Sequence, residues 1–230
     1  MVRSRQFLIF DADDTLWENN IYFEEAFDHF YDYLSHSSMS QDEVRAVLDE
    51  IEMANAKIHG YGSKNYARNL ATCYQHLAER HIAEADLAAV QEFAHAILEK
   101  PIELIDGVED TVSRLAERHS LTIFTKGDQE EQRLKIDRSG LGRYFEHAAI
   151  VKEKNQAAYQ ELAEQRQFNH AHTWMIGNSP KSDINPALAA GLNAVFVPHP
   201  RTWSLENAEV PESHPRLLKV QRISELLEHF

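Results

Sequence analysis

The fold of this chain is decided near its start, by the segment Phe7-Leu8-Ile9-Phe10-Asp11-Ala12-Asp13-Asp14-Thr15-Leu16-Trp17. A short apolar run bounded by polar residues is typical of a buried strand, and here it ends abruptly in carboxylates. Because unpaired buried carboxylates are unfavourable, we expect them just beyond the strand end, holding a cation. Asp11 and Asp13 lie two positions apart, so both side chains leave the same face of an extended chain. Such a pair binds a metal ion or divides the work of nucleophile and proton donor.

The same segment has a purely structural alternative. Asp14 and Thr15 are good N-cap residues, and an acidic turn that caps a following helix needs no cation. Read alone, the segment leaves both interpretations open.

Composition narrows the class of protein. The formal charge of −14 disfavours nucleic acid and anionic membranes as partners, because both require clustered Lys and Arg. The single cysteine, Cys73, excludes an intramolecular disulfide and favours a reducing compartment. The apolar run that follows the basic stretch 1–5 is too short for a secretory segment, and no other run could span a bilayer. We therefore expect a cytoplasmic protein; the sequence does not predict its oligomeric state.

The pattern of apolar and polar residues changes near Pro101. Residues 21–98 show four amphipathic helical patterns, the second of which begins with a capping box at Ser40–Glu43. After Pro101, helical patterns alternate with short apolar strands at 121–125, 148–151, 173–176 and 194–197. Alternation of this kind predicts a parallel sheet that is covered on both faces.

The long helical block interrupts this alternation directly after the first strand. We therefore predict an α/β fold, a Rossmann-like doubly wound parallel sheet formed by residues 1–17 and 100–230, with an all-helical cap domain inserted at 18–99. Ligands of such sheets lie beyond the carboxyl ends of the strands, so a cap inserted there is expected to roof the site.

Polar residues follow four of the predicted strands, beginning with Asp11 and Asp13 after the first. Thr125-Lys126-Gly127 offers a hydroxyl and turn N–H groups, which suit an anion. Lys154 follows the apolar run at 148–151, and the run at 173–176 leads through Asn178 to Asp183. Acids, a hydroxyl and a lysine are the groups that phosphoryl transfer requires.

The order and spacing of these residues closely resemble the four motifs of the haloacid dehalogenase (HAD) superfamily, over roughly residues 6–197. Asp11 and Asp13 match the first motif, Thr125 the second, Lys154 the third, and Asn178 with Asp183 the fourth. The position of the cap resembles the helical C1 class.

The resemblance implies a role for each matching residue. Asp11 is then the nucleophile that forms an aspartyl-phosphate, and Asp13 is the acid and base that serves the leaving group and the water. Thr125 and Lys154 hold the phosphoryl oxygens. Mg²⁺ fits best as the cofactor, with Asp11, Asp13, Asn178 and Asp183 as its ligands.

Several assignments stay open. Lys152 competes with Lys154, which we favour for its spacing to Tyr159, and Lys126 is either a substrate ligand or an exposed loop lysine. Asn178 departs from the pattern of many phosphatases, which have Asp there, and Asn is known in the metal-free dehalogenase branch. Dehalogenases lack the second acid, so Asp13 favours phosphate-ester hydrolysis.

Substrate selection is predicted to involve the cap. Trp17 either packs over the substrate or packs in the hinge, and Tyr61 lies between two glycines in a specificity loop or an ordinary turn. A helical cap suits a small phosphorylated metabolite. The predicted function is Mg²⁺-dependent hydrolysis of such a phosphate monoester, with 2-haloacid dehalogenation or non-catalytic binding as alternatives.

Overall fold

The computed structural model of the protein describes residues 4–230. Residues 1–3, which belong to the predicted core range and to the basic stretch before the first strand, lie outside the described residues. The chain divides into two compact units: Met1–Glu18 with Ile102–Phe230, called the α/β unit below, and Asn19–Pro101, called the helical unit. Among the described residues, no helix combines the length and apolarity that crossing a bilayer requires.

The α/β unit contains one six-stranded parallel sheet of order β3-β2-β1-β4-β5-β6. Its strands are β1 (Phe7–Phe10), β2 (Ser120–Lys126), β3 (His147–Val151), β4 (Thr173–Gly177), β5 (Asn193–Phe196) and β6 (Leu217–Lys219). This is the predicted doubly wound arrangement, with β1 at its centre and the order reversing between β1 and β4. The sixth strand was not predicted, because three residues are too few to show a strand pattern.

Helices cover both faces of this sheet, which explains why its central strands are apolar without interruption. Leu8 and Phe10 pack into one buried cluster and Ile9 into another on the opposite face. The longer helices of the unit are α5 (Val108–Ala116), α6 (Gln129–Ser139) and α7 (Gln156–Arg166), and the short ones are α8 (Asn185–Ala189) and α9 (Leu226–His229). A 3₁₀ turn, Ile223–Glu225, leads directly into α9.

The helical unit is built from α1 (Asn20–Leu34), α2 (Gln41–His59), α3 (Ser63–Leu77) and α4 (Glu84–His95), which continues into a 3₁₀ turn at Ala96–Glu99. The capping box at Ser40 and Glu43 is confirmed. The four helices pack around a single apolar cluster that includes Phe27, Phe30 and Leu70.

One acidic group lies inside the helical unit. Glu52 on α2 is buried, and its Oε2 atom has no hydrogen-bond partner among the described residues. Burial raises the pKa of this carboxyl to about 8, although Arg45 acts in the opposite direction. Its neutral form therefore suits the folded protein better than its anion.

Candidate active site

Three strand ends of the α/β unit bring together one lysine and two carboxylates. Asp11 directly follows β1, Lys154 follows β3, and Asp183 lies in a π-helical turn, Pro180–Ile184, after β4. The Lys154 ammonium donates to Asp11 Oδ1 and, at 2.7 Å, to Asp183 Oδ1. All three residues are buried, so this group is a desolvated ion-pair network. Lys152 is exposed, and it is Lys154 that meets the nucleophile candidate.

The backbone before Asp183 is shaped to admit its side chain. A Cβ atom on Gly177 would lie 2.2 Å from Asp183 Oδ2, a distance that non-bonded atoms do not tolerate. The backbone N–H of Ser179 donates to the same oxygen at 2.9 Å. Glycine at the end of β4 therefore lets the Asp183 carboxylate lie directly against the strand.

Charge in this cluster is incompletely balanced. Burial and the neighbouring Asp183 raise the pKa of Asp11 to about 7, against the opposing effect of Lys154. Burial alone would lower the pKa of Lys154, but Asp11 and Asp183 outweigh it and raise that pKa. The lysine is thus a permanent cation, and two carboxylates share it.

Thr15 and Asn178 connect the first and fourth motifs. The Thr15 hydroxyl lies 3.2 Å from Asp11 Oδ2 and 3.1 Å from Asn178 Oδ1, and it accepts from the Asn178 backbone N–H at 3.2 Å. The Asn178 amide donates to Thr202 Oγ1 at 2.9 Å, which fixes its oxygen on the side of Thr15. The helix-capping alternative does not hold, because α1 begins only at Asn20.

The Asp13 carboxylate faces three donors. Trp17 Nε1 donates to Oδ1 at 2.8 Å, Lys135 Nζ lies 3.1 Å from both oxygens, and Gln132 Nε2 donates to Oδ2 at 3.0 Å. Gln132 Nε2 also donates to the predicted anion holder Thr125, at 2.7 Å. Sequence reasoning missed Gln132 and Lys135. The signal that could have found them is that α6 has few apolar residues for a helix that packs on the sheet, so some of its polar residues must face inward.

The remaining predicted ligands in the α/β unit have structural partners. Trp17 is only 1% exposed and packs in the apolar cluster of this unit, and its predicted contact with substrate stays a prediction. Lys126 is not an exposed loop lysine: its ammonium pairs with the buried Glu206 and donates to Ser182 Oγ at 3.1 Å. Gly127 adopts φ +142°, and a Cβ atom there would lie 3.1 Å from Gln132 Cγ.

Tyr61 belongs to the helical unit, in the short loop between α2 and α3. Its predicted part in substrate selection stays a prediction.

The side chains fit a hard divalent cation by their chemistry. Asp11, Asp183 and Asn178 supply oxygen donors, which Mg²⁺ prefers, and the two carboxylates share a single ammonium. A cation among these oxygens would relieve the repulsion that raises the pKa of Asp11. A separate group, Asp14, Glu18 and His199, also brings potential ligand atoms within 4.8 Å of one another.

Comparison with known proteins agrees with this architecture. The sequence profile of the haloacid dehalogenase-like hydrolase family matches residues 8–197. A solved haloacid dehalogenase-like family hydrolase from Xanthomonas campestris is 31% identical, with a TM-score of 0.85 over 98% of this chain and 90% of that chain. The chain therefore belongs to the HAD-like hydrolase family.

More distant relatives differ in their described properties. The HAD-hydrolase YfnB of Bacillus subtilis (strain 168) is 24% identical over 227 residues, covering 96% of this chain and 92% of YfnB. A crystal structure of YfnB bound to magnesium aligns at 20% identity with a TM-score of 0.70, covering 99% of both chains. A 2-haloacid dehalogenase from Pseudomonas syringae pv. Tomato DC3000 has 18% identity and a TM-score of 0.65, covering 97% of both chains. These two structures share the fold.

Proposed function

We propose that this hydrolase cleaves a small-molecule phosphate monoester through an aspartyl-phosphate on Asp11, with Mg²⁺ as cofactor. The observation that carries the proposal is the buried bridge from Lys154 to Asp11 and Asp183, at the ends of three parallel strands. Such a site suits an incoming dianion, because a fixed ammonium and oxygen ligands for a cation lie beside the nucleophile.

In the first step, an oxygen of Asp11 attacks phosphorus, and the bond from phosphorus to the leaving oxygen breaks. Asp13 supplies the proton that the leaving oxygen needs. In the second step, Asp13 takes a proton from water, the water oxygen attacks phosphorus, and the bond to Asp11 breaks. Inorganic phosphate and the restored carboxylate result.

The other residues hold charge in place during both steps. Lys154 neutralises the nucleophile and the phosphoryl oxygens, and Thr125 supplies a hydroxyl toward them. Asp11, Asp183, Asn178 and the carbonyl of Asp13 would hold Mg²⁺, which when bound supplies shielding between the anionic nucleophile and the anionic substrate. The magnesium in the YfnB crystal is consistent with this assignment.

The test is hydrolysis of p-nitrophenyl phosphate by the purified protein. We expect turnover that depends on Mg²⁺, stops with EDTA and is lost in Asp11→Asn. Full activity of Asp11→Asn would refute the assignment of the nucleophile. A panel of phosphorylated metabolites then identifies the substrate, with Tyr61→Ala as the variant that tests selection by the helical unit.

Dehalogenation is the second candidate, favoured by the uncharged Asn178 and by the dehalogenase among the fold relatives. It predicts release of halide from a 2-haloacid without Mg²⁺. Asp13 argues against it, because a departing halide needs no proton. If neither substrate class is turned over, a non-catalytic binding role becomes the better description.

A further inference from the structure

Helix α6, which follows the second motif, directs two polar side chains toward Asp13. Gln132 and Lys135 lie three residues apart, so their side chains leave the same face of the helix. Both residues are buried, and both donate to the Asp13 carboxylate. We propose that they are positioning residues for Asp13, which fix the direction in which its carboxyl group meets the leaving oxygen. The inference rests on the proposed phosphatase function.

Gln132 connects two motifs through a single nitrogen. Its Nε2 lies 3.0 Å from Asp13 Oδ2, 2.7 Å from Thr125 Oγ1 and 2.9 Å from the Lys126 carbonyl. The amide therefore links the acid of the first motif to the anion holder of the second. Its stem has room there because Gly127 carries no side chain.

The other end of the same amide shows that this arrangement does not maximise stability. Gln132 Oε1 is buried and has no hydrogen-bond partner among the described residues. A buried polar atom without a partner destabilises the folded state. Rotating the amide would turn this oxygen toward the Asp13 carboxylate, which is repulsive. Gln132 thus keeps an amide whose N–H groups bind Asp13 and Thr125, although its oxygen lowers the stability of the folded protein. Functional sites commonly show this trade-off between stability and activity.

Lys135 supplies the fixed charge of this arrangement. Its ammonium lies 3.1 Å from each oxygen of Asp13, a symmetric contact that restricts rotation of the carboxylate. Glu131 Oε1, one turn earlier on the helix, lies 3.9 Å from the same ammonium and forms a second ion pair with it. Together, Gln132 and Lys135 leave Asp13 little freedom to turn.

The experiment compares phenyl phosphate with p-nitrophenyl phosphate, using kcat/KM, which reports the step that forms the aspartyl-phosphate. Nitrophenolate leaves readily without a proton, whereas phenolate depends on one from Asp13. In Gln132→Met and Lys135→Met we expect kcat/KM for phenyl phosphate to fall about tenfold more than for the nitro compound. We expect Lys135→Arg to recover part of that loss, because it keeps a cation.

Stability gives an independent readout. Gln132→Met removes the unpartnered oxygen together with the contacts of Nε2, two effects of opposite sign, so we expect a nearly unchanged Tm together with lower activity. A merely structural role predicts the opposite, a lower Tm and equal losses on both substrates. Gln129→Met and Arg133→Met change exposed residues of the same helix and serve as matched controls.

The outcomes separate the two proposals. If the wild type hydrolyses both esters but the variants keep its ratio of rates, the positioning role is overturned and the phosphatase function stands. If the wild type hydrolyses neither ester under Mg²⁺, the phosphatase function fails, and the positioning role fails with it.

Discussion

Both units of the molecule bury carboxylates, but they treat the negative charge in different ways. In the α/β unit, Asp11 and Asp183 share the Lys154 ammonium, and the cluster lies at the end of a parallel sheet. In the helical unit, Glu52 leaves one oxygen without a hydrogen-bond partner among the described residues, and its pKa rises to about 8. The first arrangement pairs two carboxylates with a buried cation, whereas the second favours a neutral acid. Substitutions in the two units test this contrast, and the largest effect is expected at Lys154.

Lys154→Met breaks the charged arrangement directly. Two buried carboxylates then face each other without a cation, so we expect p-nitrophenyl phosphate hydrolysis to fall at least about 10³-fold and stability to fall by about 3 kcal/mol. Steady-state rates and urea unfolding measure these losses. Lys152→Met removes the same charge from an exposed position and should change neither. Equal effects of the two substitutions would contradict the assignment.

Glu52→Gln tests the neutral arrangement. The folded-state pKa of about 8 exceeds the ordinary value of 4.5, so the folded chain keeps its proton between these values while the unfolded chain loses it. Wild-type stability therefore falls as the pH rises through this window. We expect Glu52→Gln to remove this dependence, with a relative gain on the order of 5 kcal/mol above the window.

Urea unfolding across that pH range measures the effect in the helical unit. Glu50→Gln, on the exposed side of the same helix, is the matched control. A constant difference between Glu52→Gln and wild type at every pH would show that Glu52 is ionised in the folded protein.

Asn178→Asp sharpens the contrast by adding a third acid to the paired cluster. Without a divalent cation we expect a loss of about 1 kcal/mol, because one lysine then serves three carboxylates. With Mg²⁺ we expect the affinity to rise about tenfold, since the new ligand is charged. Thermal unfolding with and without Mg²⁺ measures both, and Asn207→Asp is an exposed control. A Mg²⁺ response no larger than that of wild type would contradict Asn178 as a ligand.

Glu206→Gln gives the smallest expected effect. Burial would raise the pKa of Glu206, but its pair with Lys126 outweighs burial and lowers that pKa. Without this pair we expect a loss of about 1 kcal/mol and an unchanged KM for p-nitrophenyl phosphate. Glu209→Gln is the exposed control. A large drop in KM, from a lysine released toward substrate, would show that Lys126 binds the phosphate after all.

The sequence predicted the parts of the fold that repeat a simple pattern. The strand before Asp11 and the helices of 21–98 show clear periodicities, and residues after parallel strands must converge at one sheet edge. The partners that hold the site could not be predicted in this way. Gln132 and Lys135 are polar residues on a helix whose inward face the hydrophobic pattern does not reveal, because its apolar Leu134 is 44% exposed.

Glu206 shows a second reason why the partners of the site residues could not be predicted from the sequence. It lies in a short 3₁₀ turn, Ser204–Glu206, far along the chain from the strand ends that it joins. Its contacts with Lys126 and Ser179 exist only in the folded chain, and no local spacing encodes them. Contacts between residues far apart in the sequence can be identified only from the three-dimensional structure.

The position of β1 has a consequence for how the chain folds during synthesis. Phe7 pairs with Ser120 on one side and with Thr173 on the other, so the central strand is synthesised well before both of its neighbours. The whole helical unit is made in between, and its contacts are local enough to form early. Charged residues that flank an apolar strand disfavour its association with other chains before it is paired, and three acids follow β1 within four positions.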